Sequence, residues 1–229
     1  MQFGGIRKTS LIDYPDQIAA VVFTAGCNFR CPYCHNPQLV KGNPDPSVSQ
    51  DVVLDFLEAR AGFLDGVVIS GGEPTLQPDL TDFMATVRNM GYLVKLDTNG
   101  SRPEILAEVL RRNLADYVAM DVKTLPDNYP ETVGAHCGPG AIKQSIRMLL
   151  AWDGEYEFRT TCVSPLVNDE VIDLLGPELS GAKRWALQQF VPDRVLDRDF
   201  ATARCFGHDE LEHMQKSMAP HVAECILRD

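Results

Sequence analysis

Short apolar runs recur along this chain, and none of them is longer than six residues. Strands that are buried on both faces of a parallel sheet show this pattern, because neither face needs polar side chains. The runs therefore predict buried β-strands. The predicted strands are residues 18–23, 66–70, 92–96, 117–120, 156–161 and 185–190.

Segments with the helical spacing of apolar residues separate these runs. The alternation predicts an α/β fold in which parallel strands are joined by right-handed helical crossovers. Six such units are too few to close the standard eight-stranded barrel, so we expect an open, partial (β/α)6 barrel. We expect a single domain over 1–229, with an N-terminal lead-in at 1–17, the barrel at 18–190, and a C-terminal helix and tail at 191–229.

Composition and charge exclude several classes of function. The hydrophobic share of 45% and the charged share of 23% are those of an ordinary globular protein. With 21 basic and 32 acidic residues, the net charge of -11 disfavours binding to nucleic acid. No signal peptide is evident, and no run approaches the roughly 20 apolar residues that span a bilayer. We therefore expect a cytoplasmic protein without nucleic-acid or membrane partners.

Three cysteines, Cys27, Cys31 and Cys34, follow the first predicted strand with CxxxCxxC spacing. A structural zinc site normally has four ligands, and a four-iron cluster is normally held by four thiolates. Three thiolates would leave one iron open to a small molecule. His35 could instead complete a small zinc site, although no second ligand pair follows. The other cysteines are scattered singles: Cys137, Cys162, Cys205 and Cys225.

Polar or glycine-rich motifs also follow the next three predicted strands. They are Gly71-Gly72-Glu73, Asp97-Thr-Asn99 and Asp121-Val-Lys123. Because the carboxyl ends of parallel strands meet at one edge, we expect these motifs beside the cysteines, where they could hold a zwitterionic ligand. Taken singly, the glycine pair could be only a tight turn, and aspartate and asparagine are common turn formers. Tyr33, before the last cysteine, could lie against a flat ring of the ligand.

CxxxCxφC followed by a GGE motif after the next strand resembles the radical S-adenosylmethionine superfamily. Three segments resemble those of the anaerobic ribonucleoside-triphosphate reductase activating proteins: Ser10-Leu-Ile-Asp-Tyr-Pro15, residues 23–37 and Ser70-Gly-Gly-Glu-Pro74. The Asp97 and Asp121 motifs are similar to those of pyruvate formate-lyase activase. This resemblance is dense over residues 6–123 and beyond them includes only short matches at Arg159 and Gln189.

The resemblance implies one 4Fe-4S cluster on Cys27, Cys31 and Cys34, and S-adenosylmethionine bound to its open iron. It also implies that further residues around the cluster bind S-adenosylmethionine, and it implies no acid-base catalytic residue. The glycine backbone and Glu73 would position the methionine ammonium group, and Tyr33 and His35 would lie near the adenosyl group. The polar residues that complete the binding site would be Asp97, Asn99, Asp121 and Lys123. A monovalent cation would lie near the two aspartates. Arg159 and Gln189 are further candidates for binding the ligand.

The resemblance also implies a protein substrate. Reductive cleavage of S-adenosylmethionine would generate a glycyl radical on a partner, anaerobic ribonucleotide reductase, with electrons from a flavodoxin- or ferredoxin-type donor. One alternative is a radical S-adenosylmethionine enzyme that acts on a small molecule, as the 7-carboxy-7-deazaguanine synthases do. Another is a non-catalytic interaction protein that binds zinc or a cluster.

Overall fold

The computed structural model describes residues 1–42, 47–134 and 137–228. Within these ranges the strands are β1 Gln2–Ser10, β2 Ala19–Thr24, β3 Val48–Ser49, β4 Gly66–Gly71, β5 Leu93–Thr98, β6 Tyr117–Asp121, β7 Glu155–Cys162, β8 Arg184–Gln189 and β9 Glu224–Arg228. They form one sheet in the order β3-β1-β2-β4-β5-β6-β7-β8-β9. The pairings β2–β4, β4–β5, β7–β8 and β8–β9 are parallel. The order is linear, so the sheet is open, which confirms the predicted partial barrel.

Helices connect most of the strands. Those of the described residues are α1 Pro37–Val40, α2 Gln50–Glu58, α3 Leu80–Asn89, α4 Pro103–Arg111, α5 Tyr129–Val133, α6 Pro139–Leu150, α7 Asp169–Glu178 and α8 His208–Met218. Ser49 caps α2, because its side chain accepts a hydrogen bond from the Val52 amide. Over the ranges that the structure describes, no helix is long and apolar enough to cross a bilayer.

All six predicted strands are present, and each end lies within two residues of its predicted position. They formed clear signals because their side chains are buried on both faces. In β4, for example, Val67, Val68 and Ile69 are all fully buried. A continuous apolar run is what such a strand requires.

Two longer strands were not predicted. β1 lies in the predicted lead-in and pairs antiparallel with β2, from Phe3 opposite Thr24 to Ser10 opposite Ala19. Only Phe3 and Ser10 of its residues are buried, so the sequence shows neither an apolar run nor a clean alternation. β9 lies in the predicted tail and pairs parallel with β8, and none of its residues is fully buried.

The chain falls into two compact units. The first comprises residues 1–28, 38–98 and 104–118, and the second comprises residues 29–37, 99–103 and 119 onward. The assignment of residues 1–229 to a single domain stays a prediction.

Candidate cofactor site

The first cysteine follows β2 and is tied to α1 through its backbone. Gly26 has a φ of +90°, which favours glycine, and its N–H donates to the Leu39 carbonyl at 2.7 Å. The Cys27 N–H donates to the Val40 carbonyl at 3.4 Å. The half-buried Cys27 side chain is therefore carried by a backbone that two hydrogen bonds tie to α1.

The glycine pair after β4 is required by a close approach of two backbones in the first unit. A Cβ on Gly72 would lie 2.0 Å from the Gly26 carbonyl oxygen, and one on Gly71 would lie 2.4 Å from the Thr24 nitrogen. In this approach the Glu73 N–H donates to the Gly26 carbonyl at 2.8 Å. The tight turn and the predicted role do not exclude each other, because the turn brings Glu73 beside the residue that precedes Cys27.

Glu73 is a buried carboxylate, with only 1% of its surface exposed. Its Oε1 atom accepts hydrogen bonds from the Thr75 N–H at 3.1 Å, the Thr75 hydroxyl at 2.5 Å and the Thr98 hydroxyl at 2.7 Å. The side chain also caps the 3₁₀ turn Pro74–Leu76. These donors hold the carboxylate in one orientation before any ligand binds.

Asp97 lies near the end of β5 and is paired with a lysine of the same strand. The Lys95 ammonium is 2.6 Å from Asp97 Oδ1, and the Ser70 hydroxyl donates to Oδ2 at 2.9 Å. Lys95 is only 2% exposed. Lys95 was not predicted as a site residue. Residues two apart on a strand share a face, so the single charge of Lys95 within an apolar run was a signal that could have identified it.

The other two cysteines of the motif form a single turn in the second unit. The Cys34 N–H donates to the Cys31 carbonyl at 3.0 Å, and the Arg30 N–H donates to the Val133 carbonyl of α5 at 2.6 Å. Burial raises the pKa of Cys31 to about 11, and the nearby Lys123 ammonium offsets part of this rise. Since thiolates are the metal ligands, a bound metal would have to displace the Cys31 proton.

Asp121 and Lys123, at the end of β6, form an ion-paired group with Arg159 of β7. The Lys123 ammonium lies 2.8 Å from Asp121 Oδ2, and Arg159 Nε lies 2.8 Å from Oδ1. Burial alone would raise the pKa of Asp121, but the two cations hold that pKa well below its usual range. Burial would likewise lower the pKa of Lys123, whereas Asp121 raises it. Both groups therefore keep their charges at neutral pH.

Tyr33 lies between the two cysteines of this turn and is 3% exposed. Its hydroxyl is buried and has no hydrogen-bond partner among the residues that the structure describes. Burial holds the pKa of Tyr33 well above its usual value, so the phenol is neutral. A buried hydroxyl without a partner costs about 1–3 kcal/mol, which is a reason to look for a ligand at this position.

The remaining predicted residues have partners within the second unit. The His35 ring stacks on Phe190 at a centroid distance of 5.8 Å, and its Nε2 lies 2.9 Å from the Val191 carbonyl. Asn99 Oδ1 accepts from the Ser101 N–H at 3.0 Å, which is the turn-forming role. Gln189 donates through Nε2 to the Phe206 carbonyl at 2.9 Å.

Each unit thus gathers part of the predicted set. Cys27, Gly72 and Glu73 are linked through Gly26 in the first unit, and the Cys31–Cys34 turn lies near Asp121 and Lys123 in the second. Within the described residues, no three His, Cys, Asp or Glu side chains are gathered as a metal ion would require. Joint ligation by the three cysteines stays a prediction.

Comparison with known proteins identifies the family. The sequence profile of the radical SAM superfamily matches residues 21–176, which is more than half of the chain. The chain belongs to the radical SAM superfamily. A protein of Methanocaldococcus jannaschii with the provisional name of glycyl-radical enzyme activating enzyme is 34% identical over 98% of this chain and 94% of that protein. The family and the enzyme class predicted from the cysteine motif are thus confirmed.

Other relatives match less of their own length. The pyruvate formate-lyase-activating enzyme of Clostridium pasteurianum is 33% identical over 54% of this chain, which spans about half of that enzyme (52%). Among solved structures, TYW1 with a lysine-pyruvate adduct bound has a TM-score of 0.64 at 16% identity, covering 89% of this chain and 74% of that one. Streptococcus suis SuiB has a TM-score of 0.65 at 14% identity, covering 90% and 48%. At such low identities these structures establish the fold alone.

Proposed function

We propose that this chain is an activating enzyme for a glycyl-radical enzyme, with anaerobic ribonucleoside-triphosphate reductase as the partner. The observation that carries the proposal is the 34% identity to the provisionally named M. jannaschii activating enzyme, because it extends over nearly the whole of both chains. The reductase as partner is supported by the likeness of residues 10–15, 23–37 and 70–74 to its activating proteins.

The chain's donor set fits a 4Fe-4S cluster with one open iron. None of Cys27, Cys31 and Cys34 is in a disulfide, and cysteine thiolates are the ligands that hold iron-sulfur clusters. When bound by Cys27, Cys31 and Cys34, the reduced cluster would supply the one electron needed to cleave S-adenosylmethionine, and the radical chemistry that follows would remove a hydrogen atom from a glycine of the partner enzyme. The protein's part is to bind and orient these groups and to exclude water.

Several side chains would bind S-adenosylmethionine. Glu73, held by Thr75 and Thr98, would accept hydrogen bonds from the methionine ammonium group. Lys123, whose ammonium lies 2.8 Å from Asp121 Oδ2, would contribute a positive charge that suits the methionine carboxylate. The Tyr33 hydroxyl would gain from the ligand the hydrogen bond that it lacks.

His35 and Asn99 would act indirectly. Because the His35 ring is stacked on Phe190 and its Nε2 faces the Val191 carbonyl, it would hold the cysteine turn in place. Asn99 would fix the backbone after β5 through its turn. Neither side chain needs to touch the ligand to affect its binding.

The alternative is a radical SAM enzyme that acts on a small molecule. The fold does not separate these functions, since TYW1 and SuiB share it at low identity. The partner must therefore be tested directly. A flavodoxin- or ferredoxin-type protein would supply electrons to either enzyme, so the donor does not discriminate between them.

The test is anaerobic reconstitution with iron and sulfide, reduction with dithionite, and assay of 5'-deoxyadenosine with and without an anaerobic ribonucleotide reductase. We expect 5'-deoxyadenosine together with a glycyl radical signal in the electron paramagnetic resonance spectrum of the reductase. A reductase whose acceptor glycine is replaced by alanine should give no signal. Cleavage without a signal on the intact reductase would contradict the partner and favour the small-molecule alternative.

Cysteine variants test the cluster assignment in the same assay. Cys34→Ala should lose both the cluster absorbance and S-adenosylmethionine cleavage, because two thiolates cannot hold the cluster. Cys205→Ser, a half-buried cysteine outside the motif, is the matched control and should retain both. Cleavage at the normal rate by Cys34→Ala would contradict the assignment.

A further inference from the structure

The backbone of Lys123 is held by a tyrosine side chain. Lys123 follows the end of β6 by two residues, and its N–H donates to the Tyr129 hydroxyl at 3.0 Å. The residue before it is held by β7 instead, because the Val122 N–H donates to the Arg159 carbonyl at 2.8 Å. Tyr129 therefore fixes the stretch of backbone from which the Lys123 ammonium extends to Asp121 Oδ2, 2.8 Å away.

The Tyr129 ring has a second contact, on the segment that leads into the cysteine turn. The ring packs edge-on against the Phe29 ring, with a centroid distance of 5.9 Å and an interplanar angle of 70°. Phe29 is 2% exposed and comes two residues before Cys31. A backbone hydrogen bond accompanies this contact, because the Arg30 N–H donates to the Val133 carbonyl at 2.6 Å. Through these two contacts α5 holds the start of the cysteine turn.

We propose that Tyr129 is a positioning residue for the cofactor site and that its two ends act on different groups. Its hydroxyl holds Lys123 where the ammonium group binds the methionine carboxylate, and its ring holds the segment that carries Cys31. The inference deepens the proposed function, and it rests on that function for the roles of Lys123 and Cys31. Tyr129 itself acts on the ligand only through Lys123, so it is not a catalytic residue.

Tyr129 has the rigidity that such a role requires. Groups that bind a ligand must be kept within roughly 0.5 Å of their working positions by side chains whose own conformations are locked. Tyr129 is 0% exposed, and both its ring and its hydroxyl have a partner. Phenylalanine at this position would keep the ring contact and lose the hydroxyl contact, so the two ends can be tested separately.

The first test removes the hydroxyl end. In anaerobic calorimetric titration of the cluster-loaded protein, Tyr129→Phe should bind S-adenosylmethionine about fivefold more weakly than the wild type, since the Lys123 backbone loses its hydrogen bond. The rate at which a chelator removes iron should stay within about twofold of the wild-type rate, because the contact with Phe29 remains. Wild-type affinity in Tyr129→Phe would overturn the proposal.

The second test removes the ring contact. Phe29→Leu keeps a buried apolar side chain but takes away the ring on which Tyr129 packs. We expect iron release at least about threefold faster, because the cysteine turn is held less firmly, and a smaller loss of S-adenosylmethionine affinity than in Tyr129→Phe. The two variants should thus show opposite patterns. Losses of affinity and iron in the same proportion in both would indicate a general loosening of the fold and contradict separate actions of the two ends.

A double-mutant cycle tests whether the hydroxyl acts through Lys123. Lys123→Met removes the ammonium group and should weaken S-adenosylmethionine binding about tenfold. In that background Tyr129→Phe should change the affinity by less than about twofold, because no ammonium group is left to position. Additive losses would overturn the proposal, since Tyr129 would then affect the ligand by another route.

Tyr156→Phe is the matched control in the same unit. The Tyr156 hydroxyl also accepts from a lysine N–H, that of Lys183 at 3.4 Å, and its ring also packs edge-on, against Phe158 at 5.6 Å. Tyr156 lies at the start of β7, whereas the predicted site residues lie at or beyond the ends of strands. This variant should lose stability in urea but keep the wild-type affinity and rate of iron release. Equal losses of affinity in Tyr129→Phe and Tyr156→Phe would show that reduced stability explains the effect.

Amide hydrogen exchange of the cluster-free protein needs neither ligand nor cluster. In Tyr129→Phe the Lys123 N–H should exchange at least about tenfold faster than in the wild type, whereas the Arg30 N–H, bonded to the Val133 carbonyl, should change by less than about threefold. Equal acceleration of both amides would overturn the proposal even if the variant failed to hold a cluster. Because none of these measurements involves the reductase, failure of the reductase to acquire a radical would count against the proposed function alone.

Discussion

Replacing Tyr33 by phenylalanine should stabilise the cluster-free protein, although most substitutions of buried residues destabilise. The Tyr33 hydroxyl is buried without a partner among the described residues. Leaving such a group unsatisfied costs about 1–3 kcal/mol, and removal of the hydroxyl recovers part of that cost. We therefore expect Tyr33→Phe to raise the free energy of unfolding by about 1 kcal/mol.

Tyr129→Phe is the matched control, because this tyrosine is buried in the same unit and its hydroxyl has a partner. The Lys123 N–H donates to the Tyr129 hydroxyl at 3.0 Å. Phenylalanine would leave that N–H unsatisfied, so we expect a loss of about 1–2 kcal/mol. The two variants remove the same atom and should change stability in opposite directions.

The assay is urea unfolding of the cluster-free proteins under reducing conditions, with the free energy obtained by linear extrapolation. Equal losses of stability in both variants would refute the argument from the unpaired Tyr33 hydroxyl. With the cluster present, Tyr33→Phe should also bind S-adenosylmethionine roughly tenfold more weakly, as the loss of about 1.4 kcal/mol implies. A stabilised variant with normal ligand affinity would show that no ligand supplies the missing hydrogen bond.

Three further substitutions test other contacts. Gly72→Ala should destabilise by more than about 3 kcal/mol in urea unfolding, because its Cβ would overlap the Gly26 carbonyl oxygen. Arg228→Gln should cost about 2 kcal/mol in the same assay, since it breaks a two-hydrogen-bond pair at 3.0 and 2.7 Å with Glu157, which is 1% exposed. Phe200→Ala should speed release of cluster iron to a chelator several-fold, because the Phe200 ring packs 6.5 Å from that of Tyr33.

Each of these variants has a control elsewhere in the chain. Gly140→Ala adds a Cβ in open space within α6 and should be neutral or slightly stabilising. Glu224→Gln removes an exposed partner of Arg184 and should cost less than about 1 kcal/mol. Phe63→Ala removes a ring that is 73% exposed and should leave iron release unchanged. A variant that merely matched its control would contradict the contact assigned to it.

The sequence predicted the parallel part of the fold because burial on both faces forces continuous apolar runs. β2 and β4 are of this kind, and both were located to within one residue. β1 and β9 were not predicted, because they are only partly buried and their side chains therefore need not be apolar. Strand pairing at the margin of a sheet depends on backbone hydrogen bonds. These bonds do not require particular residue types, so the sequence does not reveal them.

For the candidate site too, some features could be predicted from the sequence and others could not. Cysteine spacing and the position of polar residues after buried strands were enough to name the family. The partners of those residues were not predicted, because the sequence does not show which side chains satisfy one another. Lys95 was overlooked as part of an apolar run, although it pairs with Asp97, and Arg159 was named without its partner Asp121.

These partners decide how the predicted carboxylates can act. Glu73 accepts hydrogen bonds from two threonines, and Asp97 and Asp121 are each ion-paired by side chains of their own unit. Their orientations are therefore set by folding, and a ligand need not supply the free energy to order them. Tyr33 differs, because its buried hydroxyl lacks such a partner. Ligand binding should consequently depend more on the local charge around Asp121 and on this hydroxyl than on reorganisation of the carboxylates.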